Sequence, residues 1–318
     1  MATSTTTTLI DQSTDAAFRT WVAEIITQLA AVGLTQTADT GQINTSTVTR
    51  AASNTAAGYT IWRFSDTLQS TSPVFLKLEF GSGSTGNTYP QMWVSISTGT
   101  NGTGTLNNLA GVTPVRFVCT SGNYPSSTTN FYPSYFCCDQ STIGYVGMSW
   151  KIGGSTGGYN ANSSYGGFHL GRSNDSTGAS TGSAVFLLSN ATYIGPAAQW
   201  GTMQCYSYTT TAIYPAASAL GGASYSGIYW GIYPLSSSVT LTGGAVQVMP
   251  GMMMTPNIQL TQCIGLCSAT EIPPGSTFSS ALIGSTARTY IQCGSPPGIN
   301  DPFQNYTSAQ VGMFMLWQ

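Results

Sequence analysis

Charge is what this chain has least of. Asp, Glu, Lys and Arg make up 6% of its 318 residues, against about a quarter in an ordinary globular sequence. Eight Lys and Arg in total cannot form the basic stripe that neutralises a phosphate backbone, so no nucleic-acid partner is expected. Long hydrophobic runs are also missing. None approaches the roughly 20 residues of a membrane span, so no membrane partner is expected either. Histidine occurs once, at His169, so any Ser-His-Asp triad would have to use that one imidazole. The opening "MATSTTTTLI" has no cationic n-region and no apolar h-region. We therefore expect no signal peptide and synthesis in a reducing compartment.

What is present is a core and a neutral polar surface. Hydrophobic residues are 41% and aromatics 11%, with 17 Tyr and 7 Trp, which is not the composition of a disordered chain. The surface must then be built from Ser, Thr, Asn, Gln and Gly. A net charge of -2 gives little repulsion between copies. Few Lys and Glu also means few residues that disfavour interface cores. The composition suits a subunit packed against other copies or other proteins. A stable secreted β-protein is the plainer alternative.

One segment differs from the rest. In "STDAAFRTWVAEIITQLAAVGL", residues 13–34, Phe18, Trp21, Val22, Ile25, Ile26, Leu29 and Val32 recur at spacings of three and four. That spacing predicts an amphipathic helix. Ser13, Thr14 or Asp15 can cap its start, and Gly33 suits its end. The segments that follow, 58–66, 73–83 and 90–104, read as successive antiparallel strands. Val74, Leu76, Leu78 and Phe80 alternate with Phe75, Lys77 and Glu79, and Met92, Val94 and Ile96 with Trp93, Ser95 and Ser97. Period two with one polar face predicts a sheet covered on one side, with the helix as its cover.

The fold class expected is therefore mainly β (α+β), a single N-terminal helix on an antiparallel sheet followed by a β-sandwich-like region. We divide the chain into an extended arm (1–12), a helix-plus-sheet unit (13–112), an aromatic, loop-rich β region (113–244) and C-terminal strands completing the core (245–318). Candidate strands in the last two are 143–154, 166–173, 183–190, 201–214, 226–234, "AVQVM", "SALIG", "ARTYIQCG" and "VGMFMLWQ". The last is expected to be paired inside a sheet. The Thr-rich arm is expected to be extended and free to lie on a neighbour.

Several motifs resemble chemical sites and fail a test of context. "GSGSTG" (81–86) matches Gly-x-Gly-x-x-Gly after a strand, but no helix follows, so a hairpin loop is expected, not a dinucleotide cradle. "GGSTG" (153–157) and "GASTG" (178–182) match Gly-x-Ser-x-Gly, yet neither opens the helix that a nucleophile elbow needs. A glycosidase needs two carboxylates in one groove, and Asp139 with Asp175 is the pair that can be named. We expect no catalytic residues, no cofactor and no metal. The cysteines are seven (119, 137, 138, 205, 263, 267, 293), an odd number, so at least one stays free or pairs between chains. Cys263 and Cys267 in "CIGLC" could form a late disulfide, although buried free thiols are the simpler expectation. The six Asn-x-Ser/Thr sequons at Asn44, Asn101, Asn162, Asn174, Asn190 and Asn305 reflect composition where no secretory signal is expected.

Candidate partner contacts are Thr5, Thr6, Thr7 and Thr8 of the arm, Tyr206, Tyr208, Tyr229 and Trp230 of the aromatic loops, and Met252, Met253 and Met254 as adaptable packing at a contact. The aromatics could also form sugar platforms for a host surface glycan.

The segments "AFRTWVAEIITQLAAVGLTQTADTGQIN", "AGYTIWRFSDTLQSTSPVFLKLEFGSG" and "MWVSISTGTNGTG", with "STFSSALIGSTARTYIQCG" and "VGMFMLWQ" near the C-terminus, carry a resemblance. Together they resemble a family of virion structural proteins of tailed bacteriophages, components of the tail, baseplate or fibre region. The likeness covers roughly residues 13–104 and 245–318 and carries no active-site residues. It implies a virion protein assembled in host cytoplasm, present as a homo-oligomer (trimer or hexamer) and contacting other virion proteins.

Overall fold

The computed structural model describes residues 4–9, 14–31, 33–51, 55–82, 90–107, 110–116, 133–139, 142–149, 164–189, 203–207, 212–215, 248–254, 258–268, 276–281, 286–294 and 311–317. In chain order these form β1 (Ser4–Leu9), α1 (Asp15–Ala31), β2 (Thr35–Gln36), β3 (Thr55–Arg63), a 3-10 turn (Thr67–Ser70), β4 (Phe75–Ser82), β5 (Pro90–Ser97), β6 (Gly99–Thr100), β7 (Leu106–Asn107) and β8 (Ala110–Arg116). There follow β9 (Pro133–Asp139), β10 (Thr142–Ser149), β11 (Ser164–Asn174), β12 (Ser180–Ser189), β13 (Met203–Ser207), β14 (Ala212–Pro215), β15 (Val248–Met254), β16 (Ile258–Ser268), β17 (Thr277–Ser280), β18 (Arg288–Gly294) and β19 (Val311–Leu316). The class is mainly β, with one α-helix on an antiparallel sheet ahead of a strand-rich region.

Helix α1 begins where a side chain can replace a missing backbone partner. Thr14 Oγ1 accepts the Ala17 N–H at 3.1 Å, and its carbonyl accepts the first helical bond, from Phe18 N at 3.0 Å. It ends before Gly33, whose φ of +84° no β-carbon residue adopts cheaply. Phe18, Trp21, Val22, Ile25 and Leu29 are buried. Each such burial is worth about 1.5–3 kcal/mol before ordering costs, so packing, not intrinsic propensity, holds the helix. Trp21 meets Phe80 edge-on, ring centroids 5.6 Å apart.

The surface under the helix is a five-stranded sheet in the order β2-β3-β4-β5-β8. Register places Trp62, Leu76 and Ile96 in one cross-strand row, and Phe80 beside Met92 in another. All of them are buried in one cluster with the helix stripe. The opposite face departs from the expectation of an open polar side. Ile61, Ser95 and Ser97, which point there, are also buried. The β6–β7 hairpin folds back onto this face, with Gly104 packed against the Tyr59 ring. Lys77 sits 4.7 Å from the centre of the same ring and pairs with Glu79 at 3.2 Å.

The remaining strands form a 12-stranded sheet in the order β1-β9-β10-β11-β16-β19-β18-β17, with β12, β13, β14 and β15 branching off. It draws on the arm, the middle region and the C-terminal segment together. The C-terminal strand β19 lies between β16 and β18, as its pattern predicts. Phe314, Met315 and Leu316 are buried in succession, so both faces of this strand are covered. Phe278, Tyr290 and Phe314 stack and tilt on one another with centroids 5.0–5.6 Å apart.

One expectation needs correction here. The arm does not lie free. Thr5, Thr6, Thr7 and Thr8 stand opposite Cys137, Phe136, Tyr135 and Ser134 in an unbroken antiparallel register with β9, because a β-branched run is well shaped for a pleated ladder. Later strands also enter the core under the helix. Leu170 of β11 and Ala184 of β12 are fully buried within the cluster formed by the helix and the smaller sheet.

Candidate interaction surface

The junction between the smaller sheet and the β11–β12 hairpin is ionic at its centre. Arg172 on β11 is 2% exposed. Its Nε donates to Asp66 Oδ2 at 2.9 Å and its Nη2 to Asp66 Oδ1 at 3.1 Å, a bidentate fork. Nη1 donates to the carbonyls of Ser72 at 2.8 Å and Gly182 at 3.1 Å. The guanidinium also lies 5.3 Å from the centre of the Phe64 ring. Asp66 and Ser72 flank the 3-10 turn, so one cation joins this turn, β11 and β12. Gly182 lets the strands approach: a Cβ there would stand 2.5 Å from Ser72 Oγ and 3.2 Å from Ser72 Cβ.

A second polar centre ties loops to the smaller sheet. Asp39, 7% exposed, accepts Thr100 Oγ1 at 2.8 and 2.7 Å on its two oxygens and the Gly104 N–H at 2.9 Å. Burial pushes its carboxyl up, but these donors outweigh burial and leave it below the usual carboxylate range. Burial, with Asp39 nearby, raises the Tyr59 phenol. The segment 37–43 runs along β3, with Thr37 N donating to Ile61 O at 2.9 Å and Ile43 N to Tyr59 O at 2.8 Å.

Two loops share one design that the sequence analysis missed. In Asn101–Thr105, Asn101 Oδ1 accepts Thr103 N, Thr103 Oγ1 and Thr105 N. In Asp175–Ala179, Asp175 Oδ1 accepts Thr177 N, Thr177 Oγ1 and Ala179 N. In each the first residue also donates its own N–H to the carbonyl of the fifth. Gly104 and Gly178 occupy the fourth place with φ of +89° and +88°. The shared pattern, Asn or Asp, any residue, Thr, Gly, is a turn signal.

The motifs singled out in the sequence fall partly on described residues. β4 and β5 pair directly, Ser82 opposite Pro90; Gly81 and Ser82 of "GSGSTG" end β4, and the rest of that motif lies outside the described residues. "GASTG" runs from the β11–β12 turn into β12, strand to turn to strand, with Gly178 serving the turn and Gly182 the close approach. "GGSTG" lies outside the described residues. His169 is on β11, opposite Gly144 and Leu187. Asp139 ends β9 in the row of Thr142 and Gly171, while Asp175 lies two strands across and four residues further along. Strand spacings put their Cα atoms about 16 Å apart, beyond the ~9.5 Å carboxyl separation of an inverting glycosidase. Asp175 is moreover engaged in its turn. Among the described residues no three His, Cys, Asp or Glu side chains are grouped to hold a metal.

The proposed contact residues are dispersed. Thr5–Thr8 form the end strand of the large sheet. Tyr206 is on β13, opposite Ala184 and Ile213, while Tyr208, Tyr229 and Trp230 lie outside the described residues. Met252, Met253 and Met254 are on β15, opposite Leu260, Gln259 and Ile258. Cys263 and Cys267 share β16, where four residues of regular strand would separate Cα atoms by about 13 Å, against the ~7 Å limit of a disulfide. The β15–β16 register breaks between Thr261 and Gly265, so a bond between these two thiols would depend on that irregular stretch. Cys137 and Cys138 are adjacent on β9.

Compared with protein-family models, curated proteins and solved structures, the chain matches none.

Proposed function

We propose that this chain is a non-enzymatic structural subunit of a tailed-phage virion, tail, baseplate or fibre-associated, that makes homo-oligomeric and inter-protein contacts. The observation that carries the proposal is the joining of 6% charge to a strand-rich architecture. A surface of Ser, Thr, Asn and aromatics gives copies little reason to repel and broad area to bury. Such a subunit assembles in the host cytoplasm and meets other virion proteins in the particle.

The aromatic-rich stretch containing Tyr206, Tyr208, Tyr229 and Trp230 favours a second reading, a glycan-binding receptor module or a head or neck decoration protein of the same particle. Light scattering on the purified full chain, with and without reductant, tests the first. A trimer or hexamer is the expected result. A monomer in both conditions, across the concentration range, removes self-assembly and leaves the second reading. Glycan binding lost in Tyr229→Ala or Trp230→Ala supports that one.

A further inference from the structure

Among the described residues the two larger sheets end in six strands, and five of those ends are defended. β2 has two residues. β14 and β17 have four each, and β14 carries Pro215. β8 contains Pro114, ends on Arg116, and shifts register against β5. β15 contains Pro250 and shifts register against β16. Short length, proline, charge and bulges are the devices that keep a sheet edge from pairing with another chain. β1 has none of these four, although helix α1 packs beside it. It runs six residues, Ser-Thr-Thr-Thr-Thr-Leu, with no charge, no proline and no break in its register with β9. Among the described residues no strand lies beyond it.

We infer that β1 is the homotypic interface, pairing antiparallel with β1 of a second copy across a two-fold axis. The inference rests on the structural-subunit reading and supplies its contact. The sequence of the strand suits such an axis. Such an axis keeps each side chain on its own face of the sheet, so it must pass where a residue stands opposite itself; placed on Thr6, it sets Thr6 opposite Thr6, Thr5 opposite Thr7 and Ser4 opposite Thr8, so the three central pairs are Thr–Thr. Threonine pairs across a ladder are favourable, and like charges directly opposite are not. A net charge of -2 per copy opposes the approach weakly. The product is one sheet continuous through both copies, and the assembly contains an even number of chains.

The test is a pair of double variants of the full chain, compared with the unmodified chain by light scattering over a concentration series. Thr5→Lys/Thr7→Lys puts lysine opposite lysine twice across the axis. Thr5→Glu/Thr7→Lys puts glutamate opposite lysine twice, with similar bulk on the same edge. The first is expected to halve the mass, or to raise the dissociation constant by at least about tenfold, through like-charge opposition. The second is expected to keep the assembly. Loss of assembly in both overturns the two-fold register, since folding damage or a general polar effect would strike both alike. Retention in both overturns the edge as the interface, as does a trimeric unmodified chain, and either leaves the structural-subunit reading standing. A monomeric unmodified chain overturns that reading and the interface with it.

Discussion

Removing Asp66 should cost more stability than any other single side-chain truncation outside the hydrophobic core. Asp66→Ala deletes both oxygens addressed by Arg172 Nε and Nη2. The guanidinium keeps two carbonyls but no countercharge, at a site where the Arg172 side chain is 1% exposed. Breaking a buried pair from one side typically costs 3–5 kcal/mol, because the remaining charge is uncompensated. The Asp66 side chain is 14% exposed, so water can enter the vacated corner and the expected loss is near the low end, about 3 kcal/mol. Arg172→Met keeps the stem and removes the cation. Asp66 then hydrates from its open side, and the loss should be about 2 kcal/mol, mostly from the orphaned Ser72 and Gly182 carbonyls. The double variant should be no worse than about 3 kcal/mol, which makes the coupling about 2 kcal/mol. Urea unfolding followed by tryptophan fluorescence reads this directly, since Trp21 and Trp62 are each 1% exposed. With a slope of about 3 kcal/mol/M, Asp66→Ala moves the midpoint by about 1 M. A loss below about 0.5 kcal/mol for Asp66→Ala, or additive losses in the double variant, would refute the claim that this pair holds the junction.

Gly33→Ala should cost about 1 kcal/mol, for its positive φ alone, since a Cβ there meets nothing within 4 Å. Gly104→Ala should cost at least about twice that, because its Cβ meets the Tyr59 ring in addition to the strain; thermal denaturation of the two variants side by side ranks them. Asn101→Ala should lose about 1 kcal/mol, while Asn101→Asp should be close to neutral, because Asp175 fills the same place in the twin turn. Asp15, by hydrogen bonds from Arg50, Asp39, by donors that outweigh its burial, and Asp175, by hydrogen bonds from Thr177, all have carboxyls held below their ordinary value. In that range the unfolded chain binds more protons, so their stabilisation is complete above the unfolded carboxylate pKa near 4 and is lost as pH falls through the folded values. Urea midpoints measured from pH 6 down to about 2.5 should therefore fall. Glu24, raised by burial, opposes the trend, and Glu24→Gln should steepen the fall.

The elements legible in the sequence were those whose causes are local. The stripe from Phe18 to Leu29 and the alternations through Val74–Phe80 and Met92–Ile96 repeat within a few residues, and helix, strands and their shared core follow from them. The 201–214 segment, read as one strand, holds two, β13 and β14, paired antiparallel. β9 and β16 were not recognised; "PSYFCCD" alternates poorly, and the register of β16 breaks midway. The polar centres were invisible for another reason. Arg172 and Asp66 are 106 residues apart, and Asp39 and Gly104 are 65 apart, so no spacing rule links them. A hint existed at Arg172 itself, one of eight cations, set in the strand "GGFHLGRS". A lone charge in a strand of that kind calls for a buried partner.

The long reach of these contacts sets a timetable for the chain as it is made. Synthesis runs from the N-terminus at about 5–20 residues per second, and the helix with β3, β4 and β5 emerges first. Their apolar cluster then waits for Leu170, Arg172 and Ala184, more than 70 residues beyond Ser97. At those rates the delay is some 4–17 seconds. β1 waits longer still, from Leu9 to Pro133, before its partner strand leaves the ribosome. During that interval the end of the core that β11 and β12 will cover faces water, and the threonine strand has no ladder to join. On polysomes, where nascent copies crowd together, this is the period when a chaperone holding the early segment would most raise the yield of correctly closed protein.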